Sequence, residues 1–137
     1  MKKMIIALIA VLLLSACGKQ EIPAQTATFT LDSNPTTGFS WRVEQSEELF
    51  QVDSVYTPDK QDEAIVGSGG IETITLIPLK SGKTEVTLSY VRPWEGGEMG
   101  DQIVYSFEID KNLQVKMIDV YSLGAEEPVA TPTPEIR

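Results

Sequence analysis

From Ala27 onward, apolar and polar residues alternate at every second position, the pattern of strands with one buried face. Ala27, Phe29 and Leu31 share a face of a first predicted strand, and Phe39, Trp41 and Val43 a face of a second. Leu49 to Tyr56 reads as a third, more apolar strand. Thr73 to Leu79 is a fourth, with Pro78 near its end, where a missing N–H is tolerated. Val86, Leu88 and Tyr90 mark a fifth, and Ile103, Tyr105, Phe107 and Ile109 give the cleanest alternation, in a sixth. Leu113, Val115 and Met117 suggest a seventh, after a turn at Asp110-Lys111-Asn112. Beyond the N-terminal leader no stretch keeps a helical apolar period for three turns. Seven short strands with β-branched and aromatic inward faces predict an all-β fold, an immunoglobulin-like antiparallel β-sandwich; a small barrel is the other arrangement. Trp41 alternates with Phe39 and Val43 and is placed in the core.

The two ends of the chain differ from its middle. Lys2 and Lys3 precede an unbroken apolar run from Met4 to Leu14, the layout of a secretory signal over residues 1–16. The run is shorter than the roughly 20 residues a membrane-spanning helix needs. Leu14-Ser15-Ala16-Cys17 resembles the bacterial lipobox, which implies cleavage before Cys17 and acylation of its thiol with palmitate-like chains. The expected location is then the cell envelope, with the domain held by lipid outside the cytoplasm, on the outer membrane or the outer face of the plasma membrane. Gly18, rather than aspartate, follows the cysteine, which is compatible with outer-membrane delivery. Residues 17–25 read as a lipidated polar tether and residues 26–121 as one folded domain. Residues 122–137, with Pro128, Pro132 and Pro134 among threonines and glutamates, are expected to be a disordered tail.

Charge and residue inventory narrow the function. Of 137 residues, 11 are basic and 20 acidic, a net charge of −9. With Lys2 and Lys3 removed, 9 basic residues face 20 acidic ones, and the charge is −11. Such a surface disfavours nucleic acid. There is no histidine, and Cys17 is the single cysteine. Ser-His-Asp and Cys-His catalysis and the usual zinc ligands are therefore unavailable, and the exported domain folds without a disulfide. Asp59-Lys60-Gln61-Asp62-Glu63 lacks the spacing of a calcium loop and reads as solvated. No enzyme activity, metal or cofactor is expected.

The connections are more informative. The links at Gln45 to Glu48, Lys80 to Lys83 and Asp110 to Asn112 are short. The alternate ones, Asp32 to Gly38, Thr57 to Glu72 and Arg92 to Asp101, are longer and richer in Gly and Pro. In strands that run alternately up and down, these three meet at one end, where function on a rigid scaffold usually sits. Asn34-Pro35-Thr36-Thr37-Gly38 suits a tight protruding turn with two small polar residues at its apex, before the chain resumes at Phe39. Gly67-Ser68-Gly69-Gly70 lets the backbone approach another surface closely; it lacks the Walker pattern and a following helix, so phosphate binding is not its role. Arg92-Pro93-Trp94 stiffens a strand exit and projects an indole, and Trp and Arg dominate contact energies.

In this order and spacing, Asn34-Pro35-Thr36-Thr37-Gly38-Phe39, Gly67-Ser68-Gly69-Gly70 and Arg92-Pro93-Trp94 resemble the motifs of the chagasin family of cysteine-protease inhibitors. The resemblance covers roughly Ala27 to Ile109. It implies an immunoglobulin-like domain that blocks papain-like cysteine proteases; separately, a monomer is expected. By position, Thr36 and Thr37 would lie over the protease's catalytic cysteine and histidine without being cleaved, Trp94 would pack on its aromatic groups, and the Gly67 segment would clasp the cleft from the other side. Leu113 to Tyr121 extends past the usual end of the family and is expected to cover a sheet edge. The other reading is a cell-surface immunoglobulin-like adhesion or scaffold module, which has no reason to carry Thr36-Thr37 together with Arg92-Pro93-Trp94.

Overall fold

The computed structural model describes residues 18, 21–59, 67–92, 98–124 and 131–137. Among the described residues there are eight strands: β1 (Ala27–Ser33), β2 (Ser40–Gln45), β3 (Phe50–Pro58), β4 (Gly70–Pro78), β5 (Gly82–Arg92), β6 (Glu98–Ile109), β7 (Val115–Leu123) and β8 (Glu135–Ile136). They form two antiparallel sheets, ordered β3-β4-β1-β8 and β2-β5-β6-β7. This is the expected all-β sandwich, not a barrel.

The period-two pattern explains the core. Ala27, Phe29 and Leu31 from β1 and Ile74 and Leu76 from β4 meet Val86, Leu88, Ile103, Tyr105, Phe107 and Ile109 from β5 and β6. Edge-to-face contacts tie the sheets together: the Phe29 and Tyr105 rings lie 4.8 Å apart and the Phe50 and Phe107 rings 5.5 Å apart. Each fully buried ring or aliphatic side chain contributes about 1.5–3 kcal/mol. Trp41 packs against this cluster from its border, partly buried.

Two expectations need correction. The third strand is not apolar along its length: past Phe50 and Val52 its residues are exposed, because β3 is the outer strand of its sheet and has a partner on one side only. The tail beyond residue 121 is not wholly disordered. β7 runs to Leu123, and β8 pairs with β1, Ala27 opposite Ile136 and Thr28 opposite Glu135. The backbones of Thr26 and Arg137 exchange two hydrogen bonds, of 2.8 and 3.1 Å. Tyr105, on the inner face of the other sheet, donates its hydroxyl to the Pro132 carbonyl at 2.7 Å, and Pro134 is buried. Burial pushes the Tyr105 hydroxyl up to about 12. The composition was misleading because a strand of two residues needs no apolar period of its own when an existing sheet edge offers free N–H and C=O groups.

Strand direction places the loops. The chain changes sheet between β1 and β2, β2 and β3, β4 and β5, and β7 and β8, so it is not a simple up-and-down meander. All neighbours are nonetheless antiparallel. Ser33, the last residue of β1, lies opposite Gly70, the first of β4, and Ser40 lies opposite Val91. The β1–β2, β3–β4 and β5–β6 connections therefore share one pole, and the chain ends lie at the other. Cys17 lies outside the described residues.

Candidate functional site

Among the described residues, the rim comprises loop 1 (34–39), the two ends of loop 2 (59 and 67–69) and Arg92 at the end of β5. Loop 1 is a single 3-10 turn over Pro35–Thr37. Proline at its first position suits the turn, since its fixed φ is preset and no N–H is wasted. Gly38 closes it with φ 86°, a left-handed value open to glycine at little cost, and its N–H donates to the Pro35 carbonyl at 3.0 Å. Pro35, Thr36 and Thr37 are exposed, Asn34 and Phe39 half-buried.

Asn34 is the node of the rim. Its side-chain oxygen accepts from the Thr36 hydroxyl, and its backbone carbonyl accepts from the Thr37 hydroxyl at 2.7 Å. Its side-chain amide donates to the Gly67 carbonyl at 3.2 Å, joining loop 1 to loop 2. Its own N–H donates to the Tyr90 hydroxyl at 3.0 Å. Both threonine hydroxyls thus donate inward, so the apex keeps acceptor lone pairs and methyl groups for a partner.

The four residues of the second motif divide their labour. Gly67, exposed with φ 99°, lies on the rim; a Cβ there would come within 4.0 Å of the Thr36 hydroxyl oxygen. Ser68 is half-buried behind it. Gly69 and Gly70 serve the domain itself. A Cβ on Gly69 would sit 3.1 Å from the Ser33 carbonyl oxygen, and one on Gly70 would sit 2.4 Å from that of Thr57. At Gly69 and Gly70 the surface closely approached is the protein's own.

Arg92, at the end of β5, joins the third motif to the first. Its guanidinium donates to the Thr37 carbonyl at 3.1 Å and lies 4.6 Å above the centre of the Phe39 ring. Pro93 and Trp94 lie outside the described residues. Sequence reasoning missed Tyr90, whose ring stacks on Phe39 at 5.3 Å and meets Trp41 at 5.0 Å. The available signal was its place in the strand, two residues before Arg92 on the same face. Trp41 also donates its indole N–H to the Asp32 carbonyl at 3.0 Å, holding the end of β1 under loop 1.

Lys80, Lys83, Lys111, Lys116 and Arg137 lie on elements at the pole away from the rim, interspersed with Glu47, Glu48, Glu85, Glu108, Asp110 and Glu135. Asp32 and Glu72 lie at the rim ends of β1 and β4, where Glu72 accepts from the Ser33 hydroxyl at 3.1 Å and from Ser54 at 2.7 Å. Among the described residues no group of three or more carboxylates, cysteines or histidines could hold a metal ion. The rim can offer shape, backbone groups and a stacked cation.

Comparison with known proteins bears on family and fold. The chain is 39% identical over 72 residues to chagasin of Trypanosoma cruzi, covering 48% of this chain and 64% of chagasin. It is 36% identical over 69 residues to amoebiasin-2 of Entamoeba histolytica, covering 50% of this chain and 56% of that protein. The matches thus span less than two thirds of either relative. The crystal structure of the cysteine protease inhibitor EhICP2 from Entamoeba histolytica superposes with a TM-score of 0.53 at 32% identity, covering 62% of this chain and 78% of that one. The family model for chagasin family peptidase inhibitor I42 matches residues 23–109, from the tether through β6. The chain belongs to the chagasin family of peptidase inhibitors.

Proposed function

We propose that this chain is a reversible, non-covalent inhibitor of papain-like cysteine proteases, acting as a monomer by occlusion. The rim enters the active-site cleft and keeps substrate out. Thr36 and Thr37 cover the catalytic cysteine and histidine, the Gly67 segment lies along one wall, and Arg92, Pro93 and Trp94 lie along the other. No bond is made or broken by the inhibitor.

The observation that carries this reading is the mutual bonding of the motifs: Asn34 to Gly67 and Arg92 to Thr37. Loops already fastened to one another lose little entropy on docking, which lets an interface of ordinary size bind tightly. The inward-facing threonine hydroxyls fit the same picture, because they hold the turn in one shape. The N-terminal part of the proposal is that Cys17 carries lipid and holds the domain at the cell envelope, as the Leu14-Ser15-Ala16-Cys17 sequence suggests.

One pair of proteins tests both parts. Wild type and Cys17→Ser should each inhibit papain to completion at one inhibitor per enzyme and emerge uncleaved, while only wild type should incorporate labelled palmitate. Papain that stays active at a large molar excess of inhibitor would refute the inhibitory role. Wild type that incorporates no labelled lipid would refute the lipid anchor.

A further inference from the structure

We propose that Tyr90, which lies in none of the three motifs, is the positioning residue that presets loop 1 for docking; its importance for inhibition rests on the function proposed above. Tyr90 sits on β5 directly opposite Trp41 of β2. Its ring lies between two aromatics, Trp41 at 5.0 Å with a 40° tilt and Phe39 at 5.3 Å with a 22° tilt. The Arg92 guanidinium stacks on the same Phe39 ring, so Trp41, Tyr90, Phe39 and Arg92 form one continuous row beneath the rim.

What sets Tyr90 apart is that it holds both ends of the loop. Its hydroxyl accepts from the N–H of Asn34, where loop 1 begins. Its ring stacks on Phe39, where loop 1 ends. Two residues further along β5, Arg92 reaches the Thr37 carbonyl between those points. One strand therefore fixes loop 1 at its start, apex and finish, and the strand itself is held in the sheet by pairing with β2 at Tyr90 and with β6 on either side of a bulge there. Asn34 in turn carries the bond to Gly67, so the hydroxyl that places Asn34 also places the joint between loops 1 and 2.

Tyr90→Phe keeps the stacked row and removes only the acceptor. A part-buried N–H at Asn34 then lacks its partner, and loop 1 spends part of its time away from the docking shape. Apparent affinity falls in proportion to the fraction of molecules still competent. Loss of one such bond corresponds to about a five- to tenfold effect.

The test uses the purified chain at a temperature well below unfolding. In Tyr90→Phe, hydrogen exchange at the Asn34 amide should quicken about tenfold, and the inhibition constant for papain should rise about five- to tenfold, chiefly through slower association. Val43→Ala, on the same strand as Trp41 but away from the loop, controls for destabilisation: it should lower the melting temperature and leave both readouts unchanged. Unchanged Asn34 exchange in Tyr90→Phe overturns the proposal, and so does faster exchange with an unchanged inhibition constant. A wild-type chain that does not inhibit papain defeats the inhibitor reading instead; the exchange measurement still decides whether Tyr90 holds the loop.

Discussion

The two poles of this sandwich are held together in different ways. At the rim, contacts run between side chains and loop backbones far apart in sequence: Asn34 to Gly67, Arg92 to Thr37, Tyr90 to Asn34. The opposite pole has such contacts too, Thr84 donating to the Glu47 carbonyl at 2.7 Å and the Gln114 side-chain amide to the Pro23 carbonyl at 2.9 Å, but adds to them short turns and strand pairing. Asp110 caps the β6–β7 turn by accepting from the N–H groups of Asn112 and Gln114, at 2.7 and 2.9 Å, and β8 adds itself to β1. Local turns form wherever their few residues allow. A rim made of long-range contacts forms only after both sheets are in place, and its shape then depends on the whole domain. The difference implies that surface shape at the rim and stability of the fold can be altered separately.

The sharpest way to break that separation is at the apex. Thr36→Arg should raise the inhibition constant for papain at least about 100-fold by clash while shifting the melting temperature by less than about 2 °C. Normal inhibition by this variant would mean that loop 1 stays out of the cleft. Next in size, Gly70→Ala should act on the fold although it belongs to a rim motif. The new methyl meets the Thr57 carbonyl, a backbone atom with little freedom to move, and overpacking of about 2 kcal/mol lowers the melting temperature by roughly 10 °C. Unaltered stability with lost inhibition would return Gly70 to the contact surface.

The smallest effect is expected in the middle of the sandwich. Tyr105→Phe removes the bond to Pro132 and should cost about 1 kcal/mol, near 5 °C, with inhibition intact and residues 131–137 more open to proteolysis. Titration gives the same comparison a pH axis. Because Tyr105 keeps its proton to about 12 in the folded chain and loses it near 10 when unfolded, wild-type stability should fall as pH rises from 10 to 12. Tyr105→Phe should show a shallower fall over that window in thermal melts; equal slopes would mean that the phenol is not the titrating group.

Much of this was legible in the sequence because strands with one buried face write their period directly into it. Phe29, Leu31, Ile103, Tyr105 and Phe107 were assigned to the core from alternation alone, and they are buried. Alternate connections meeting at one pole also followed, since antiparallel neighbours require it whichever sheet each strand joins. What the pattern could not carry was pairing. β3 has the composition of an inner strand and the position of an outer one, and β8 is too short to have a period at all. Glycine is equally mute: nothing in the letters separates Gly67, turned toward the rim, from Gly70, pressed on Thr57. Tyr90 was read as one more residue on a strand face, because a hydroxyl that reaches across 56 positions to a backbone amide leaves no local trace.

The pairing of Thr26 with Arg137 has a practical corollary. Thr26 and Arg137 lie on the same side, about 20 Å of strand away from loop 1. Immobilising the protein through Arg137, on a bead or a sensor chip, would display the rim edge outward. An affinity tag added after Arg137 would leave that edge unobstructed, and a layer of such molecules would all point the same way.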